Sequence, residues 1–121
     1  MKQIEKKGKI GFREASNGVK QTYQGLNFKI MISAGILTLI LSAWIGLTLI
    51  EWSIITICIT TVLFAEAINT AIEMICDYMN PTYDQKIGKI KDVAAGAVLL
   101  CCIGAVIIGT IIIGPYLYSL L

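Results

Sequence analysis

Two stretches of this chain contain no charged residue, one between Lys29 and Glu51 and one after Asp92. A helix needs about 20 apolar residues to cross the roughly 30 Å hydrocarbon core of a bilayer, and both stretches are long enough. A third apolar segment, 52–79, carries Glu66, Glu73 and Asp77 in its second half. The pattern predicts three membrane-spanning helices at about 29–50, 52–79 and 92–115. A turn around Glu51 joins the first two. A loop over 80–91, containing Pro81 and Gly88, joins the last two, and Pro115 ends the third.

Ahead of the spans, Phe12, Ala15, Val19, Tyr23 and Leu26 recur every three or four positions, which marks one stripe of an amphipathic helix. The other face carries Arg13, Glu14, Asn17, Lys20, Gln21 and Gln24. A basic amphipathic helix of this kind lies along an anionic membrane surface; the alternative is a solvated helix packed on a soluble partner. Residues 1–10 are lysine-rich with one Glu and read as a frayed start to a surface segment over 1–28. The expected fold is an all-α membrane protein, one domain over 1–121, with a surface helix and three transmembrane helices.

Composition sharpens this picture in a few places. Hydrophobic residues make up 56% of the 121 positions, above the roughly 45–50% of soluble domains. The polar, basic first 29 residues are not those of a signal peptide. There is no His, which removes the commonest acid–base catalyst and metal ligand. Cys58, Cys76, Cys101 and Cys102 form no C-x-x-C pair and read as small packing residues. Seven of the ten Lys and Arg lie at or before Lys29, and the rest are Lys86, Lys89 and Lys91. The positive-inside rule then predicts a cytoplasmic N-terminus and 80–91 loop, and a C-terminus outside.

Glu66, Asn69, Glu73 and Asp77 are spaced 3, 4 and 4 and so fall on one helix face. Counted from Trp52 at the outer interface, Glu66 sits just inside the inner hydrocarbon boundary, while Glu73 and Asp77 reach the headgroup and water layer. Ionisable groups at membrane depth are costly and mark function by default; the bland reading is a buried structural network. A membrane lipid keeps its hydroxyl near the headgroup plane, where a carboxylate can accept its proton as general base. Carboxylates further into the cytoplasm can hold Mg²⁺ together with nucleotide phosphates. Lys91 and Asp92 open the third span on the same side, where a Lys neutralises phosphate charge and an Asp orients it. The following run Ala94, Ala95, Gly96 and Ala97 allows close helix approach.

The pattern E-x-x-N-T-A-x-E-x-x-x-D stands here as Glu66, Asn69, Thr70, Ala71, Glu73 and Asp77. Gly88 and a K-D-x-A-A-G-A-V run from Lys91 follow it. These motifs resemble the prokaryotic diacylglycerol kinase family, which includes undecaprenol kinases, over about 60–110. The resemblance implies a homotrimer with active sites shared between subunits. It implies transfer of the γ-phosphoryl group of MgATP to the hydroxyl of a membrane lipid, undecaprenol or diacylglycerol. It implies Glu66 as general base, Glu73 as metal-binding carboxylate, and Asn69, Asp77, Gly88, Lys91 and Asp92 as residues that shape the site and hold the nucleotide.

One departure stands out. Members of that family usually carry a metal-holding Glu three residues before a Phe at the junction of surface helix and first span. Here the Phe is Phe28 and the position is Gly25, with no acidic residue between Glu14 and Glu51. Asp84 in the loop is a candidate substitute. Two other readings stay in view: a family member that binds lipid or nucleotide without turnover, and a small ion or proton pathway. Against the pathway, the outer half of each span lacks ionisable groups.

Overall fold

The computed structural model describes residues 11–82 and 84–121. Within them the chain forms helix α1 (Phe12–Tyr23), α2 (Leu26–Ile45), α3 (Leu49–Met79) and α4 (Gln85–Ser119). Helices α2, α3 and α4 are each long and apolar enough to cross a membrane. The expected frayed start at 1–10, and with it the beginning of the 1–28 segment, lies outside the described residues.

Helix α1 is shorter than the polar pattern indicates. It stops at Tyr23 because Gly25 takes an extended conformation (φ −74°, ψ 139°) and becomes the N-cap of α2. The elbow is held by the Tyr23 and Phe28 rings, edge to face at 6.2 Å, with Lys29 Nζ 5.7 Å above Tyr23. Phe28 is buried there. Phe12 and Val19 on α1 stay exposed.

The first hairpin turns earlier than expected. Gly46 adopts φ 83°, a left-handed conformation that costs a residue with a Cβ more than it costs glycine, and its N–H bonds to Ser42 O at 3.0 Å. The turn is thus at 46–48. Glu51, expected in the turn, lies in the first turn of α3 as half of a capping box with Thr48, which satisfies two otherwise orphaned backbone donors.

Helix α4 begins well before 92 and passes Pro115 to end at Ser119. Asp84 starts it by accepting from the N–H groups of Lys86 (2.8 Å) and Ile87 (3.3 Å). The 80–91 loop therefore shrinks to 80–84, and Lys86, Gly88, Lys89 and Lys91 ride on helix. Pro115 lies so near the C-terminal end that the missing N–H breaks one bond without ending the helix.

Helix α3 packs mainly on α4 and next on α2. One cluster gathers Leu47, Ile55 and Ile113 with Trp52, Ile59 and Tyr116, and Tyr116 donates to Glu51 at 2.6 Å. Helices α2 and α3 approach closely at Gly35, where a Cβ would lie 3.0 Å from Ile59 Cγ2. Ala94 and Val98, one turn apart on α4, are buried, whereas Ala95 and Ala97 are exposed. Of the small-residue run, Ala94 is buried within this chain and Gly96 is half-buried. Trp44, Phe64, Leu100 and Val106 point outward, as side chains facing lipid do.

Candidate active site

Helix α3 has 31 residues, about 46 Å at 1.5 Å per residue, and so outreaches the roughly 30 Å hydrocarbon core. Measured from Trp52, Glu66 lies about 21 Å along the axis, Glu73 about 32 Å and Asp77 about 38 Å. The acidic ladder thus runs about 17 Å along the helix axis, from Glu66 to Asp77.

The ladder divides into three environments. Glu66 is 6% exposed and Asn69 5%. No hydrogen bond from the described residues reaches the Glu66 carboxylate; only its backbone oxygen is used, accepting from Thr70 Oγ1 at 2.9 Å. Asn69 donates through Nδ2 to Glu73 Oε1 at 3.1 Å, while its Oδ1 is buried without a partner. Glu73 is exposed and keeps its second oxygen free. Asp77 is exposed near the C-terminal end of α3 and accepts from Lys91 Nζ at 2.5 Å, which ties the end of α3 to the start of α4.

A cleft of about 790 Å³ opens where the α1–α2 elbow meets α3. Glu66, Thr70, Glu73 and Met74 line one wall, and Gln21, Gln24, Gly25, Leu26 and Asn27 line the other. Gly25 therefore stands in the cleft that holds Glu66 and Glu73. The structure joins Glu66 and Glu73 around one space, Asn69 to Glu73, and Lys91 to Asp77. It does not join Gly88 or Asp92 to them: Gly88 lies in the first turns of α4, its N–H bonded to Asp84 O, and Asp92 is exposed one residue past Lys91. Asp84 is engaged as the cap of α4 and does not line the cleft.

The amides of Gln21, Gln24 and Asn27 had no place in the site on sequence grounds. Gln21 and Gln24 read only as part of the polar face of α1. The signal that could have placed them is their position beside Gly25, where α1 gives way to α2.

Among the described residues, no three His, Cys, Asp or Glu side chains come together at metal-holding distance. What the cleft offers is the Glu66 carboxylate, the free oxygen of Glu73 and neutral amide oxygens. That donor set fits Mg²⁺, which keeps several waters and binds through one or two carboxylates plus substrate phosphates.

Residues 13–113 match the family model described as "Prokaryotic diacylglycerol kinase". The chain belongs to the prokaryotic diacylglycerol kinase family. It is a family of lipid kinases, and the ladder of Glu66, Asn69, Glu73 and Asp77 falls within the matched span. The chain is 33% identical over 114 residues to a protein of Synechocystis sp. named "Diacylglycerol kinase", covering 93% of this chain and 65% of that relative. It is 34% identical over 107 residues to the "Undecaprenol kinase" of Bacillus subtilis, covering 88% of this chain and 87% of that relative. The two relatives thus carry names of two lipid substrates at nearly equal identity.

Proposed function

We propose that this protein transfers the γ-phosphoryl group of ATP to the hydroxyl of a membrane lipid, either undecaprenol or diacylglycerol. The observation that carries this reading is Glu66: a buried carboxylate without a hydrogen-bond partner, at the edge of the bilayer, lining a cleft shared with the exposed carboxylate of Glu73. Family membership and both relatives' names support the reaction class.

In this mechanism the lipid lies in its leaflet with its hydroxyl beside Glu66. Glu66 accepts the hydroxyl proton as the oxygen bonds to the γ-phosphorus, and the bond to the β-phosphate oxygen breaks to release ADP. Asn69 holds Glu73 in place through the amide hydrogen bond. Glu73 would hold Mg²⁺, which when bound would supply positive charge to offset that of the phosphate oxygens. Lys91 leaves or shares Asp77 to meet the nucleotide phosphates, and Gly88 and Asp92 contribute to the nucleotide side from the start of α4.

The same reading places α1 on the cytoplasmic membrane surface, the N-terminus and the 80–84 turn in the cytoplasm, and the C-terminus outside. It also makes the working unit a homotrimer, whose neighbouring subunits cover helix faces that are bare in one chain. Incubating purified protein with MgATP and each lipid, then resolving phosphorylated lipid, tests the activity. Product from one lipid names the acceptor. Absence of product from both, with nucleotide binding kept, favours the non-turnover relative, the alternative motivated by Gly25.

A further inference from the structure

The cleft is acidic on one wall and amide-rich on the other. Glu66 and Glu73 on α3 face a wall that contributes Gln21, Gln24 and Asn27 but no third carboxylate. Both glutamine side chains are exposed, and neither hydrogen-bonds to a described residue, so their amide oxygens are free. Glu73 offers one uncommitted oxygen, the other being taken by Asn69. Glu66 adds an independent sign that a ligand completes this space: it is nine-tenths buried, lines the cleft and lacks a partner. Hard divalent cations accept side-chain amide oxygens as well as carboxylates.

We propose that Gln24, helped by Gln21 three residues before it, supplies neutral amide oxygen to the divalent cation held at Glu73, in place of the carboxylate absent at position 25. The inference rests on the lipid-kinase reading of the cleft. Gln24 is the residue directly before Gly25 and forms the C-cap of α1, so it projects from the point where the chain bends against α3. A neutral oxygen holds a cation less strongly than a charged one, and the site leans more on water and on the nucleotide phosphates. Nothing in the backbone demands glycine at 25: its φ is −74°, and a Cβ there would meet only Thr22 O, at 3.4 Å.

The test is Mn²⁺ binding, read by electron paramagnetic resonance on the full chain in lipid nanodiscs with a non-hydrolysable ATP analogue. A unit negative charge about 4 Å from even a singly charged cation is worth about fivefold at water-like dielectric, and a divalent cation gains more. Gln24→Glu is expected to tighten Mn²⁺ binding by at least about that factor relative to Asn17→Asp, which adds the same charge to α1 outside the cleft. Gln24→Ala is expected to weaken it, and Gly25→Glu to tighten it. Circular dichroism on each variant confirms that the helices are retained. If Gln24→Glu binds Mn²⁺ no better than Asn17→Asp, or Gln24→Ala matches the parent, the proposal is overturned. If Gln24→Glu instead weakens the nucleotide analogue, the amide faces phosphate rather than metal, which also overturns it. Glu73→Gln separates the two levels. Weakened Mn²⁺ binding in Glu73→Gln with inert Gln24 variants sinks the amide role alone; unchanged binding in Glu73→Gln sinks the metal site of the kinase reading as well.

Discussion

Lys91 and Asp77 form an ion pair at 2.5 Å between the first third of α4 and the last turns of α3. They are 14 residues apart, so the pair joins two helices across the short 80–84 turn rather than two turns of one helix. Both side chains remain partly open to water, and such pairs contribute little to stability. In the proposed mechanism the pair positions the Lys91 ammonium for the nucleotide phosphates. Lys91→Met should therefore lower kcat by about 10²–10³, the range for removing one charge-stabilising donor. Asp77→Asn should cost less, because the ammonium remains. Steady-state kinetics on both variants checks this. An Asp77→Asn loss as large as that of Lys91→Met would show that Asp77 meets the substrate itself.

Glu66→Gln keeps size and hydrogen-bonding capacity while removing the proton acceptor. General base catalysis contributes about 10²–10⁴-fold, so kcat should fall by that order with nucleotide binding largely kept. Turnover and nucleotide affinity measured on the same preparation separate the two effects. Near-parental turnover would assign the base elsewhere.

The ladder was legible because its residues lie on one helix: spacing alone puts Glu66, Asn69, Glu73 and Asp77 on one face. Three membrane-capable helices were legible for the same reason, since a long uncharged run has few other solutions. What lay hidden depends on contacts between segments. Gln21 and Gln24 enter the cleft only because α1 stops at Tyr23 and Gly25 turns the chain, which their polarity does not reveal. The early start of α4 depends on Asp84 acting as a cap, and a single Asp next to a Pro-containing turn reads equally well as loop. The position of Gly46 mattered more than the charge of Glu51 in locating the first turn.

Gly35 offers a check on packing apart from the chemistry. The Cβ of any replacement would start 3.0 Å from Ile59 Cγ2, a tight approach at which Ile59 must give by a few tenths of an ångström. Inserting bulk into a tight contact typically costs about 1–3 kcal/mol. Gly35→Val should destabilise the α2–α3 pair by that amount, seen as a lower unfolding midpoint in detergent. Its Mn²⁺ affinity should change little, because Gly35 lies three turns from Gly25 along α2. An unchanged midpoint would mean that the helices separate there without cost.

Helix α4 offers the test of the proposed orientation in the membrane. Lys89 and Ser119 are both exposed and lie 30 residues apart on one helix, about 45 Å along the axis. That exceeds the roughly 30 Å hydrocarbon core, so an α4 that crosses the bilayer opens the two positions on opposite sides. Lys86, Lys89 and Lys91 crowd the first two turns of α4, and after Asp92 the helix carries no charge at all. Under the proposed topology the lysines keep their end on the cytoplasmic side, where ATP is present. In a background with the four native cysteines replaced, Lys89→Cys should react with an impermeant thiol reagent only from the cytoplasmic face, and Ser119→Cys only from the outer face. Labelling intact cells and inverted vesicles in parallel reads both. Reaction of Lys89→Cys from outside alone would invert the protein, strand the Glu66–Glu73 cleft away from the nucleotide pool, and remove the kinase reading together with the topology.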